Sequence, residues 1–241
     1  MAKKSKKKQK KPEPRWLRRR WLKARYWLRR AAVWGVSLTF LAVVFFAIVN
    51  PPITWTMLSE KRRVGHLDHQ WTPMEQIAPV MARSVVAAED ANFCLHWGFD
   101  VAAIRDAIED GGGRGASTLT QQTVKNVYLW QGRSYVRKAL EAVLTPLVEI
   151  GWSKRRILEV YLNIAEFDEG VFGVEAAARH YFGVGPESLS ATQAARLAAV
   201  LPNPKARSAS QPTARLRRRA AAIMDGAETI RGESRDACFA D

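Results

Sequence analysis

Three clusters of polar residues in this 241-residue chain have the types and spacing for chemistry. The first is Glu89-Asp90-Ala-Asn-Phe93-Cys-Leu-His96-Trp-Gly98-Phe-Asp100, where two adjacent acids close an apolar stretch. Carboxylates are among the groups that general acid–base chemistry draws on. The second, Gly115-Ala-Ser117-Thr118-Leu-Thr120-Gln121-Gln122-Thr-Val-Lys125-Asn126, packs hydroxyls, amides and one cation into a dozen positions. The third is a run of cations, Lys125, Arg133, Arg137 and Lys138, with no acid between Gln122 and Glu141. Such a concentration of positive charge suits an anionic ligand such as a phosphate. Each cluster alone also has an ordinary reading as a solvated helix end, a cap or an exposed face.

Other signals are weaker. Gly111 to Ala116 fits G-x-G-x-x-A on paper, but no strand precedes it and no βαβ unit surrounds it. There is no HExxH and no G-x-S-x-G. His66 and His69 lie in a polar stretch and make a poor case for a metal site. Cys94 and Cys238 are too few for a disulfide framework; they are read as unpaired, largely inert thiols, with one bridge between them as the alternative.

The elements that must position these clusters read as helices. Thr72-Pro73-Met74-Glu75 has the form of a capping box with proline at the first helical position, and Pro79 must break or restart that helix. Residues 100–110 read as helical, and Leu140, Val143, Leu144, Leu147 and Val148 make one stripe over 135–150. Ser153 caps a helix carrying Ile157, Val160 and Tyr161. Ser190 to Gln193 is a second capping box, opening an alanine-rich helix that Pro202 and Pro204 close. No alternating strand is evident, so the body is expected to be mainly α with one core.

The net charge of +15 at first suggests nucleic acid. Yet residues 1–30 hold 15 basic residues against the single acid Glu13, leaving 23 basic and 22 acidic residues for positions 31–241. The charge therefore describes the tail and gives no case for nucleic acid. Ala31 to Val49 is uncharged for 19 residues and ends at Asn50-Pro51-Pro52. A helix of about 20 residues crosses the hydrocarbon layer, so residues 31–52 read as a signal anchor. The excess of positive charge before it places the N-terminus in the cytoplasm and the body outside. Trp16, Trp21, Tyr26, Trp27 and Trp34 suit a cationic helix meeting lipid headgroups. The expected domains are a basic tail (1–30), the anchor (31–52), a polar connector (53–74) and an extracytoplasmic domain (75–241).

Together the clusters resemble a known signature. The order EDxxFxxHxGxD, GxSTxTQQxxKN, RKxxE and KxxILExYLN is similar to that of the family 51 peptidoglycan glycosyltransferases, nearest to monofunctional members with a single N-terminal anchor. Glu89 to Asp100, Gly115 to Asn126, Arg137 to Glu141 and Lys154 to Asn163 carry the likeness, with a weaker piece from Ala194 to Pro204. Ala116 departs from the family's usual second glycine, and the basic tail is longer than an anchor requires.

The resemblance implies a lysozyme-like helical domain that polymerises lipid II into glycan strands at the bacterial inner membrane, releasing undecaprenyl pyrophosphate. By family position Glu89 would be the base. Lys125 and Arg133 would hold the donor diphosphate, with Arg137 and Lys138 as second candidates. Glu141 would orient the leaving group or hold a divalent ion such as Mg2+, with no cofactor obligatory. Ser117, Thr118, Gln121 and Gln122 would hydrogen-bond the donor or brace the cleft, Asp90 and Asn126 would bind substrate, and Lys154 to Asn163 reads as scaffold. The implied partners are lipid II, the growing glycan, the membrane and proteins of the division machinery. Two rival readings are a lysozyme-like muramidase and a non-enzymatic membrane scaffold.

Overall fold

The computed structural model describes residues 15–109, 111, 117–132 and 134–240. The chain divides into two units, Met1–Ala42 and Val43–Asp241. The described part of the first is helical, and belongs to α1 (Arg15–Ile48), which runs on into the second. Arg19–Ile48 is long and apolar enough to cross a membrane, with mean hydropathy 2.3 and 6% of its apolar window buried.

The second unit is helical: α2 (Trp55–Val64), α3 (Pro79–Glu89), α4 (Val101–Glu109), α5 (Leu119–Tyr128), α6 (Tyr135–Gly151), α7 (Lys154–Ile164), α8 (Val174–Phe182), α9 (Ala191–Val200) and α10 (Ala214–Gly232). The sequence explains its core. α7 buries Ile157, Leu158, Val160, Tyr161 and Leu162, and packs on α5. α9 presents Ala194, Ala195, Ala198 and Ala199, whose small side chains let α3 and α10 approach closely. Ser153 and Ser190 cap α7 and α9 as their spacing predicts. This is the mainly-α, lysozyme-like architecture that the resemblance implied.

Four expectations change. A small sheet exists, made of β1 (Asp68–His69), β2 (Glu166–Asp168) and β3 (Val171–Phe172) in the order β1-β3-β2. β1 pairs parallel to β3, and β2 antiparallel to it. Strands of two or three residues are too short to show alternation. The stretch read as a polar connector contains α2, which buries Met57 and Glu60. Thr72 does not cap a helix; only a short 3-10 turn, Met74–Gln76, follows. Its amide donates to Asn163 Oδ1 at 2.7 Å and its carbonyl accepts from Asn163 Nδ2 at 2.9 Å, so helix formation waits for Pro79.

The cysteines are not free thiols: Cys94 and Cys238 form a disulfide across 144 residues of sequence. The bridge ties the chain after α10 to the turn after α3, where Phe239 also packs on Phe93. Closing so large a loop restricts the unfolded chain. Cys238→Ser is therefore expected to lower stability by about 2–4 kcal/mol, read as a fall in denaturation midpoint that reductant reproduces in the unmodified chain. An unchanged midpoint in both would show that the bridge carries no stability.

Candidate active site

The site begins where α3 ends. Asp90 stops that helix and turns inward, 7% exposed. Its Oδ2 accepts the Leu119 amide at 2.9 Å, and its Oδ1 pairs with His96 Nε2 at 2.8 Å. A carboxylate on the first amides of α5 suits the positive end of that helix. Thr118 caps α5: its Oγ1 accepts the Gln121 amide at 3.3 Å and donates to the Gly98 carbonyl at 2.7 Å. Gln121 Oε1 returns the bond from the Thr118 amide at 3.1 Å. Asp90, Thr118 and Gln121, expected as substrate ligands or braces, are thus buried braces that join α3 and the 90–98 turn to α5.

With its neighbour held inside, Glu89 faces α5 and α10. Its Oε2 accepts Gln122 Nε2 at 3.0 Å, and Gln122 Oε1 accepts the Tyr161 hydroxyl at 3.2 Å. Its Oε1 is buried with no hydrogen bond, and Arg219 Nη2 stands 3.9 Å away. Burial pushes the Glu89 carboxyl above its ordinary range, opposed by the Gln122 bond and by Arg219, Lys125 and Arg207. The result is a carboxylate fixed through one oxygen and without a hydrogen bond at the other. Tyr161, read from periodicity as scaffold, is part of this arrangement. A buried tyrosine hydroxyl needs a partner, and that requirement was the available signal.

The cations divide into two kinds. Arg137 Nη1 donates to Glu141 Oε2 at 2.7 Å, and Lys138 pairs with the other oxygen of the same carboxylate. Arg137 also donates to the Gly132 carbonyl at 2.9 Å, and Lys138 to Ser117 Oγ at 3.3 Å. Glu141 is 2% exposed. Lys125 instead makes no ion pair or hydrogen bond among the described residues. Burial pulls its ammonium below the usual lysine range, Arg137 and Lys138 lower it further, and Glu141 and Glu89 oppose. Together with Gln122, Asn126 and Tyr161 it lines a cleft of about 460 Å³. Asn126 accepts Gln131 Nε2 at 3.1 Å on the cleft wall. Arg133, the other expected diphosphate ligand, lies outside the described residues, as do Gly115 and Ala116.

The cleft has a third feature that spacing did not reveal. Glu60 from α2 binds Arg63 and Lys205, and Lys205 Nζ also lies 3.3 Å from Glu166 Oε1. Arg63 first, and then Lys205, hold the Glu60 carboxyl at about 2, against the effect of burial. Three chain segments meet in this cluster, none of them close in sequence.

A divalent ion does not fit at Glu141. Two cations already occupy both carboxylate oxygens, and a metal ion would have to displace them. Asp90, His96 and Asp100 bring ligand atoms within 4.8 Å of one another, but the carboxylates already accept from Leu119, Ala103, Asn92 and His96. Glu141→Gln is expected to destabilise the domain by about 1–3 kcal/mol, because the half-buried Arg137 would lose its counter-charge. Chemical denaturation checks this, and a change below about 0.5 kcal/mol would make the pair an ordinary surface contact.

A helical domain that sets a half-buried carboxylate, one oxygen of it without a hydrogen bond, near a half-buried cation that makes no ion pair among the described residues suits the class of glycosyl-transferring and glycosyl-cleaving enzymes. The transglycosylase family model matches residues 57–228, and the chain belongs to that family. A biosynthetic peptidoglycan transglycosylase of Jannaschia sp. (strain CCS1) is 58% identical over 217 residues, covering 90% of this chain and 91% of the relative. One of Pseudomonas fluorescens (strain Pf0-1) is 49% identical, covering 87% and 93%. One of Yersinia pestis (strain Pestoides F) is 50% identical, covering 74% and 79%.

Proposed function

We propose that this chain is a peptidoglycan glycosyltransferase of cell-wall synthesis that polymerises lipid II and releases undecaprenyl pyrophosphate. The observation that carries the reading is Glu89, with one carboxylate oxygen that makes no hydrogen bond, held by Gln122 of the same cleft that Lys125 lines, where Lys125 makes no ion pair among the described residues. A sugar hydroxyl is a poor nucleophile at neutral pH. Glu89 takes the proton of the acceptor's GlcNAc 4-hydroxyl as its oxygen bonds to C1 of the donor's MurNAc. The C1–oxygen bond to the diphosphate breaks, and its electrons leave on the lipid pyrophosphate. Lys125 meets that developing charge from a half-buried site, where a cation acts more strongly than in water. Gln122 and Tyr161 hold the carboxylate in one orientation. A muramidase expels a neutral sugar and has no use for a half-buried cation without an ion pair beside its acid.

Incubation of the purified full chain with labelled lipid II tests the reading. A ladder of glycan that muramidase digests is the expected product. Lipid II recovered intact would overturn it.

The chain is read as a single-pass protein with its N-terminus in the cytoplasm and its domain outside. The 15 basic residues before the anchor support that orientation, and the Cys94–Cys238 bridge suits an oxidising compartment. Alkaline phosphatase fused after Asp241 is expected to be active, and a cytoplasm-dependent fluorescent reporter dark. The opposite pattern would reverse the orientation.

A further inference from the structure

The stretch Lys154 to Asn163 does more than pack. Arg156, in the first turn of α7, does not line the cleft and instead grips the last turn of α1. Its Nε and Nη2 donate to the Phe46 carbonyl at 3.3 and 3.1 Å, and Nη2 also donates to the Val49 carbonyl at 3.1 Å. Nη1 donates to Asn50 Oδ1 at 2.8 Å and to Glu159 Oε1 at 3.1 Å. The last carbonyls of a helix have no partner within it, and α1 carries no cation of its own in its last turn. The guanidinium is largely buried, 5.4 and 6.0 Å from the ring centroids of Trp71 and Trp152. Trp152 adds its indole N–H to the Val43 carbonyl at 2.8 Å, and Phe46 meets Tyr128 edge to face. Val43 is buried, so this end of α1 is part of the domain's core.

Little slack separates the grip from the cleft. Pro51 is buried, and the buried Thr54 caps α2 by accepting the Met57 amide at 3.2 Å. α2 then supplies Thr56, Ser59 and Glu60 to the wall of the Lys125 cleft. Tyr128, against Phe46, ends α5, the helix that carries Gln122 and Lys125. We infer that Arg156 is a positioning residue: it locks the exit of the anchor to the cleft, so that the enzyme favours a sugar donor held in the same bilayer by its own lipid. This rests on the polymerase reading above. Two partners confined to one bilayer meet at an effective concentration that depends on how stiffly each is attached. A reacting geometry also tolerates little misplacement. The grip touches no reacting atom, so a donor arriving from water should not depend on it.

Proteoliposomes of the full chain test this with two substrates: undecaprenyl lipid II in the bilayer, and a short-chain, water-soluble analogue with the same sugars and diphosphate. Arg156→Gln is expected to lower kcat/KM for the bilayer-held substrate by about tenfold or more and to leave the analogue within about twofold. Trp152→Phe, which removes one donor and keeps an aromatic ring, should move the same ratio the same way by about fivefold, the worth of one hydrogen bond. Equal losses on both substrates in this milder variant would make the grip a matter of stability alone. Undiminished use of the bilayer-held substrate by Arg156→Gln would remove it from positioning, and either result overturns the proposal. Spin labels at Ile48→Cys and Ser188→Cys, read by pulsed dipolar spectroscopy, give a second measure that needs no turnover. A narrow distance distribution is expected in the otherwise unsubstituted chain and a broad one with Arg156→Gln, and equal widths would also overturn the proposal. If the unsubstituted chain polymerises neither substrate, the polymerase reading fails, and the labels still decide whether Arg156 fixes the anchor's exit.

Discussion

Glu89→Gln is expected to reduce polymerisation of lipid II by about 10²–10⁴-fold, the usual contribution of a positioned general base. Glutamine keeps the shape of the side chain and the Tyr161–Gln122 chain beside it, but it cannot accept the hydroxyl proton. Stability should not fall with the rate. Burial raises the Glu89 carboxyl, so its ionisation opposes folding. That cost is absent below the unfolded-state pKa, grows as pH rises from there to the folded one, and is constant above it. At neutral pH the glutamine variant should be at least as stable as the parent chain. The rate should also fall as pH drops through a group titrating above the ordinary carboxylate range. Turnover near the parent rate would place the base elsewhere.

Lys125→Ala is expected to lower kcat by about 10²–10³-fold and to weaken donor binding as well, in line with the loss of one preorganised charge-stabilising donor. A cation on a diphosphate acts in the bound substrate and more strongly as the bridging bond breaks. Lys125 is half-buried and makes no ion pair among the described residues, and burial lowers its pKa. For a lysine with a depressed pKa, charging opposes folding at pH values below the folded pKa and the cost disappears as pH rises. Removing the charge should therefore leave the denaturation midpoint at neutral pH unchanged or raised. Steady-state polymerisation and release of lipid pyrophosphate measure the effect together. Unchanged kcat/KM in Lys125→Ala would remove the cation from the reaction.

The parts of this site that were legible in sequence are those whose chemistry stays local. Glu89 and Lys125 stand out because polar residues interrupt helices that packing alone would fill with apolar ones. Caps at Ser153 and Ser190 were legible for the same reason: donor and acceptor lie three residues apart. Asp90, Thr118 and Gln121 belong to the same motifs but point into the protein. Asp90 meets Leu119 and Thr118 meets Gly98, partners 29 and 20 residues away that no periodicity registers. Tyr161 joins Gln122 across 39 residues, which is why a helix read correctly from Ile157 and Val160 concealed a polar contact. Thr72 failed as a cap because Asn163, 91 residues on, takes both its backbone groups. The disulfide spans still more sequence, and two cysteines alone do not say whether they meet.

Transfer to a sugar rather than to water is the claim on which the assignment of Glu89 and Lys125 depends. Polymerisation of lipid II in water enriched in heavy oxygen, followed by mass spectrometry of the muramidase-free product, tests it directly. Glycan whose internal linkages carry no heavy oxygen, formed with one lipid pyrophosphate per bond, is the predicted result. Short saccharides with heavy oxygen at every MurNAc anomeric carbon would make water the acceptor and contradict it.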